Sequence, residues 1–300
     1  MKSGFVGIVG RPNVGKSTLL NAILGEKIAI TTAKPQTTRN TIRGIYTRLD
    51  EDGDGIQMIF IDTPGIHKPR NKLGEFMTDA AIGTFNEVDA IIFIVDSALD
   101  KGPGDRYILD LLSKIDTPKI LVINKIDQMP PDTFEKIYKE YDELGVFEDI
   151  RGVSALEGTH VEELIESVSA FMEEGPMFFP EDMVTEDPVR FIASEIIREK
   201  ILLYMEDEIP HGVAVEIEQF LEEEDITRIS ACIYCERKTH KGMIIGKGGR
   251  KLKGIGKSAR EELEALLGTK VYLQTWVKVR ENWRDSDFAL SNFGYKEDGR

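Results

Sequence analysis

The segment Gly10-Arg11-Pro12-Asn13-Val14-Gly15-Lys16-Ser17 limits the possible folds more than any other part of the chain, because of what flanks it. Before it runs the β-rich stretch Phe5-Val6-Gly7-Ile8-Val9; after it, Thr18-Leu19-Leu20-Asn21-Ala22-Ile23-Leu24 spaces its apolar residues as a helix does. A strand that turns through glycines into a helix points successive backbone N–H groups at one spot, and the helix aims its positive dipole end there too. Gly10 and Gly15 permit the tight backbone, Lys16 adds a positive charge, and Ser17 offers a hydroxyl to Mg²⁺. A chance glycine turn would account for one Gly pair, not for the whole pattern between a strand and a helix. The feature predicts a phosphate-binding loop.

From Met1 to about Gly175 apolar β-runs alternate with helical patterns, and the clearest strands are Gln57 to Ile61, Ala90 to Val95 and Lys119 to Ile123. Near-continuous apolar strands are those covered on both faces, so this α/β region, 1–175, reads as a doubly wound sheet with its ligand at the strand C-termini. Asp62-Thr63-Pro64-Gly65 leaves one such strand end. There Asp62 can reach the Mg²⁺ shell and the Gly65 N–H can meet a γ-phosphate. Asn124-Lys125-Ile126-Asp127 leaves another. A carboxylate at Asp127 accepts hydrogen bonds from guanine N1–H and the 2-amino group, which adenine does not offer, and leaving a buried carboxylate unpaired costs several kcal/mol. Val153-Ser154-Ala155, after a short strand around Ile150, would present a backbone N–H to the base O6.

This ordered set resembles the translation-factor-like GTPases across the whole first domain. The resemblance implies a GTP/GDP switch, with a nucleotide-binding set of Gly10 through Thr18, Asp62, Thr63, Pro64, Gly65, Asn124, Lys125, Asp127, Ser154 and Ala155. It implies that Thr31 to Asn40 is the first switch loop, centred on Gln36-Thr37-Thr38-Arg39 behind Pro35. Thr38 is then the second Mg²⁺ ligand beside Ser17 and Asp62, with Thr37 as the alternative. Where Ras-like enzymes place a water-orienting Gln after Asp-x-x-Gly, this chain has Ile66, which can neither accept a proton nor orient water. Intrinsic hydrolysis should therefore be slow. Two repairs fit: a partner that supplies a catalytic group, or K⁺ held by Asn13, which resembles the Asn that coordinates this ion in related GTPases.

The net charge of −15 hides its distribution. Residues 181–236 carry 16 acidic and 4 basic side chains, whereas residues 237–284 carry 13 basic and 4 acidic. One basic island on an acidic chain points to an anionic partner at that segment. Cys232 and Cys235 form a CxxC, but on a strand running from Ile229 to Arg237 residues three apart face opposite sides, and no second pair completes a zinc set. The longest apolar run is strand-sized and no secretory leader precedes the first strand, which suits a cytosolic protein.

A Pro-bounded connector over 176–187 leads to a second domain over 188–284 and a tail over 285–300. Asp187 is a fair N-cap for a helix reaching about Tyr204; Val213 to Phe220 and Ile226 to Cys235 alternate as strands joined by the acidic turn Glu222-Glu223-Glu224-Asp225. Then come Ile244 and Ile245, the GxxG Gly246-Lys247-Gly248-Gly249, the basic Arg250 and Lys251, a helix to Leu267 and a strand from Lys270 to Val279. A loop without side chains at its ends lets a sugar-phosphate backbone approach, with Lys247, Arg250 and Lys251 on the phosphates. The order helix, strand, strand, helix, GxxG, helix, strand is that of a type II KH domain, a smaller α+β fold that clamps about four single-stranded nucleotides. KH grooves read bases through aliphatic residues such as Ile244 and Ile245. Trp276 and Trp283 are better placed for packing than for stacking on bases.

One such GTPase domain, one KH domain, Gln-Thr-Thr-Arg in the switch and Trp-Val-Lys-Val-Arg-Glu-Asn-Trp near the end resemble the Era GTPases along nearly the full length. The resemblance implies a factor for small-subunit ribosome assembly. Such a factor binds single-stranded RNA, not DNA, near the 3′ end of small-subunit rRNA in its GTP state. It would work in the cytoplasm, with a peripheral location at the inner membrane face also reported for the family. A nucleotide kinase would not need Asn124-Lys125-x-Asp127, and tandem-GTPase factors with a KH-like module carry two P-loops where this chain shows one.

Overall fold

The computed structural model describes residues 1–34, 36–97, 102–205 and 210–295, so Pro35 and the last five residues of the expected tail lie outside the described residues. Contacts divide the chain into two units. The first comprises Met1–Ala29, Thr38–Pro69 and Met77–Glu186, and the second Ile30–Thr37, Arg70–Phe76 and Asp187–Arg300.

In the first unit β1 (Lys2–Gly10), β2 (Ile42–Leu49), β3 (Gly55–Asp62), β4 (Ala90–Val95), β5 (Lys119–Asn124) and β6 (Asp149–Val153) form a sheet in the order β2-β3-β1-β4-β5-β6, with the short β7 (Glu173–Glu174) beside β1. All neighbours on that path are parallel except β2, which runs antiparallel to β3 from Ile42 opposite Asp62 to Leu49 opposite Gly55. Every residue of β4 and β5 is buried, as strands covered on both faces require. The expected strands are all present. β2 is an addition, and its sequence IRGIYTRL disguises it with two arginines and a glycine. Arg48 reaches out to Glu162 and Glu166 at 2.5 and 2.7 Å, and a Cβ on Gly44 would meet Leu24 at 2.5 Å. The polar pattern thus reflects an edge strand packed closely on a helix.

The stretch expected to be a linker is docked on this sheet. Phe178 N and Phe179 N donate to Gln57 Oε1 at 2.7 and 3.0 Å, Gln57 Nε2 donates to Phe179 O at 2.9 Å, and Ile45 N donates to Val184 O at 2.8 Å. Gln57 is fully buried, and this stretch of backbone satisfies its amide.

The second unit orders α6 (Val189–Tyr204), β8 (Val213–Glu222), β9 (Ile226–Cys235), α7 (Lys238–Ile245), α8 (Arg250–Leu267) and β10 (Lys270–Val279), with the preceding helices α1 (Lys16–Leu24), α2 (Lys72–Gly83), α3 (Pro103–Leu112), α4 (Pro131–Asp142) and α5 (Val161–Ser169) interleaved among the earlier strands. β9 is central, antiparallel to β8 and parallel to β10, which is the KH type II arrangement. Ile255, Ala259 and Leu263 on α8 pack with Ile192, Ile196 and Ile197 of α6 in one core. Pro188, not Asp187, occupies the N-cap of α6, and no side chain caps it. The tail is packed through Tyr295, beyond α9 (Asp287–Asn292), whose ring stacks at 5.9 Å on Trp283 of the second domain; Trp283 is fully buried and its Nε1 donates to Gly212 O at 3.0 Å. Cys232 and Cys235 are buried and free.

Candidate nucleotide site and nucleic-acid interface

The loop between β1 and α1 closes where the parallel strands end. Gly15 caps α1 with φ of 105°, and a Cβ there would fall 2.1 Å from Asn124 Nδ2, so both its backbone conformation and its neighbour demand glycine. Asn124 is the clamp of the site: Nδ2 donates to Val14 O at 2.8 Å and Oδ1 accepts from Ala155 N at 3.0 Å. One buried side chain thereby ties the phosphate loop to the loop after β6. In this structure the Ala155 N–H of the expected base-facing segment Val153-Ser154-Ala155 serves Asn124. Asp127 differs from expectation too. It is exposed, Ser154 Oγ donates to its Oδ1 at 2.7 Å, and chiefly that hydrogen bond holds its carboxyl below the usual range. Selectivity from an unpaired buried carboxylate therefore requires that the base itself cover Asp127.

The metal-ligand candidates converge. Ser17 Oγ lies 2.5 Å from Asp62 Oδ2 and 2.8 Å from Thr38 Oγ1, and Thr38 Oγ1 lies 3.5 Å from Asp62 Oδ2. Thr37 points its hydroxyl elsewhere, to Thr32 Oγ1 at 2.6 Å and Lys34 O at 2.7 Å. The structure thus places Thr38 rather than Thr37 at the site. Asp62 is fully buried and its Oδ1 has no hydrogen-bond partner, an orphan acceptor that a cation would satisfy. One carboxylate and two hydroxyls make a hard oxygen set, and Mg²⁺ takes few protein ligands of this kind, completing its shell with phosphate and water; these residues fit it. Burial pushes the Asp62 carboxyl up to about 6, against Lys16, Ser17 and Thr38. Burial also lowers Lys16 to about 8, and its Nζ donates to Arg11 O at 3.0 Å across the loop.

A charged layer around the loop went unread in the sequence. Arg11 pairs with Asp105 at 2.6 Å and Asp96 at 3.1 Å, while Lys125 Nζ donates to Asn13 O at 2.8 Å and Asp96 Oδ2 at 3.3 Å. Asp96 follows the last residue of β4 and Asp105 sits in the first turn of α3. The signal available was position, since Asp96 stands at the C-terminal end of an apolar strand, as Asp62 and Asn124 do. Asn13 is exposed in the left-handed conformation, φ 66°. Ile66 is fully buried in the sheet core, a hydrocarbon with no role toward water.

On the second unit, Gly246, Gly248 and Gly249 take φ of 71°, 61° and 74°, the values that L side chains resist, in a turn joining α7 to α8. Lys247, Arg250 and Lys251 are exposed. Ile244, expected to read bases, is fully buried in the core of this unit and presents no surface to them here, while Ile245 is half-buried beside it. A groove of about 730 Å³ runs from Gly249 between α8 and β10, lined by Leu252, Lys253, Lys257, Leu273 and Thr275. The sequence did not single out these residues, because their convergence depends on β10 lying across from α8.

A family model for a 50S ribosome-binding GTPase matches residues 5–125 and one for a KH domain matches residues 208–284. With the site above, these define a P-loop GTPase carrying a KH domain, an enzyme that hydrolyses GTP. GTPase Era of Alkaliphilus oremlandii is 57% identical over 296 residues, covering 98% of this chain and 99% of that protein. GTPase Era of Clostridioides difficile is 56% identical over 299 residues, covering 99% of each. Two solved structures match with TM-score 0.93 and 39% identity over 98% of this chain and 99% of theirs. They are Aquifex aeolicus Era bound to GDP·AlF4⁻, and Era in complex with MgGDPNP and nucleotides 1506–1542 of 16S ribosomal RNA. The chain belongs to the Era family of GTPases.

Proposed function

We propose that this protein is a Mg²⁺-dependent GTP switch that grips single-stranded RNA at the 3′ end of small-subunit rRNA and acts in assembly of the small ribosomal subunit. The observation that carries the reading is the convergence of Ser17, Thr38 and Asp62 around an orphaned carboxylate oxygen. It makes the position of a switch residue depend on what the phosphate site holds. When bound, Mg²⁺ would be held by these three residues and offset phosphate charge. Lys16 and the backbone of Gly10 to Ser17 hold the phosphates, Asp127 holds the guanine edge, and Lys247, Arg250 and Lys251 hold the RNA backbone. Ile66 in the water-orienting position makes intrinsic hydrolysis slow, and Asn13 is the candidate ligand for an activating K⁺. Ribosomal RNA as partner fits a cytoplasmic protein, with a peripheral location at the inner membrane face as the second reading; no helix among the described residues is long and apolar enough to cross a membrane.

The test is binding of a short RNA from the 16S 3′ end in the presence of a GTP analogue and of GDP. Tighter binding in the GTP state is expected, and equal affinity removes the switch. Gly246→Asp with Lys247→Asp should abolish RNA binding and leave GTP affinity intact; retained RNA binding removes the KH assignment.

A further inference from the structure

The contact units divide the first switch at a single peptide bond: Ile30–Thr37 belong to the second unit, and Thr38 begins the next stretch of the first. Within the second unit this segment is tied at both ends to one turn of α6. At its start, Thr31 N donates to Glu199 Oε1 at 2.9 Å. At its end, Arg198 donates to the Thr37 carbonyl through Nη2 and to the Gln36 carbonyl through Nη1 at 3.4 Å. Glu195 accepts from Arg198 Nε at 2.8 Å and Nη2 at 2.5 Å. Residues 195, 198 and 199 share a helix face by their spacing, and all are buried, Arg198 completely.

A buried guanidinium is costly unless its donors are paired, and here the pairing includes the backbone of the switch. Inside the segment, the Thr32 and Thr37 hydroxyls bond at 2.6 Å and Thr37 Oγ1 donates to Lys34 O at 2.7 Å, so the loop is closed on itself as well as on α6. The next residue is Thr38, whose hydroxyl stands 2.8 Å from Ser17. With one Cα step of about 3.8 Å between them, fixing the Thr37 carbonyl restricts where the Thr38 hydroxyl can stand.

We propose that Arg198, oriented by Glu195, is a positioning residue for Thr38. By gripping the Thr37 carbonyl it pre-sets the γ-phosphate-dependent Mg²⁺ ligand. The inference rests on the reading of Thr38 as that ligand. It does not rest on RNA binding, so its test uses nucleotides alone.

Arg198→Met together with Glu195→Gln removes the donors without leaving a buried charge. Titration with fluorescent GDPNP and GDP in Mg²⁺ should show the GDPNP affinity falling about ten- to a hundredfold, the scale of a lost hydrogen bond to a charged group. GDP affinity should stay within about twofold. Arg198→Lys, which keeps the charge and one donor, should recover part of the loss. Arg190→Met is the control for general damage. Arg190 lies on the same helix and donates to Ile217 O at 2.5 Å, so its loss should lower the melting temperature and leave the GDPNP-to-GDP affinity ratio unchanged. Equal losses for both nucleotides, no loss for either, or the same change of ratio in Arg190→Met would overturn the proposal.

Discussion

Asp62→Asn should make the ligand-free protein more stable while destroying its response to Mg²⁺·GTP. In the folded chain burial raises the Asp62 carboxyl from 3.8 to about 6. A displacement of about two pKa units corresponds to roughly 3 kcal/mol. The sign follows from which form is favoured. Below pH 3.8 the group is neutral in both folded and unfolded chains and costs nothing; as pH rises through 6 the unfolded chain ionises freely and the folded chain does so at a penalty. Stability is therefore lost between these values, and the whole penalty is present above them. Asparagine carries no charge and escapes it, while its oxygen can still accept from Ser17. In Mg²⁺-free buffer at pH 8 the variant should unfold about 3 kcal/mol later in urea, and at pH 5 the gap should shrink to roughly half. Saturating Mg²⁺·GTP should then raise the stability of the wild-type protein and leave the variant nearly unchanged. If the variant is no more stable at pH 8, or if the gap is independent of pH, then burial of an ionised Asp62 is not what strains this site.

Two further substitutions probe the loop on either side. Asn124→Ala strips the partners from a buried carbonyl at Val14 and a buried N–H at Ala155, so unfolding stability should fall by about 2–5 kcal/mol and GTP and GDP affinities should fall together. A loss below about 1 kcal/mol would show that the two loops do not depend on this clamp. Asn13→Ala should abolish any advantage of K⁺ over Na⁺ in single-turnover hydrolysis, an advantage expected to reach roughly tenfold or more; equal rates in the two buffers, unchanged by the variant, end the cation assignment.

What was legible in the sequence is what local pattern encodes. The apolar runs at 90–95 and 119–123 announce buried parallel strands because both faces must be hydrocarbon, and they are. The GxxG announces a turn that only glycine tolerates, and its glycines take positive φ. Less legible were residues whose surroundings come from distant chain. Ile244 has the chemistry of a base-reading aliphatic, yet α8 and the sheet enclose it. Asp127 belongs to the motif expected to read guanine from a buried carboxylate, and in the fold that carboxylate is exposed and bonded to Ser154. Strand β2 was hidden because an edge strand on one helix needs only part of its surface apolar.

Least legible is the difference between Thr37 and Thr38. Thr37 and Thr38 are the same residue type in adjacent positions, and no property of the dipeptide distinguishes a metal ligand from a loop clasp. Their roles separate only because the chain between them passes from one packing environment to another. The antiparallel register of β2 sets Ile42 opposite Asp62, which brings the preceding residues toward the phosphate loop and puts Thr38 beside Ser17. Arg198 and Glu199 lie more than 160 positions downstream and hold the residues just before it. On the proposal that Arg198 positions Thr38, a nucleotide that draws in the Thr38 hydroxyl also favours the arrangement in which the Thr37 carbonyl meets Arg198, and by linkage whatever secures that arrangement favours the nucleotide.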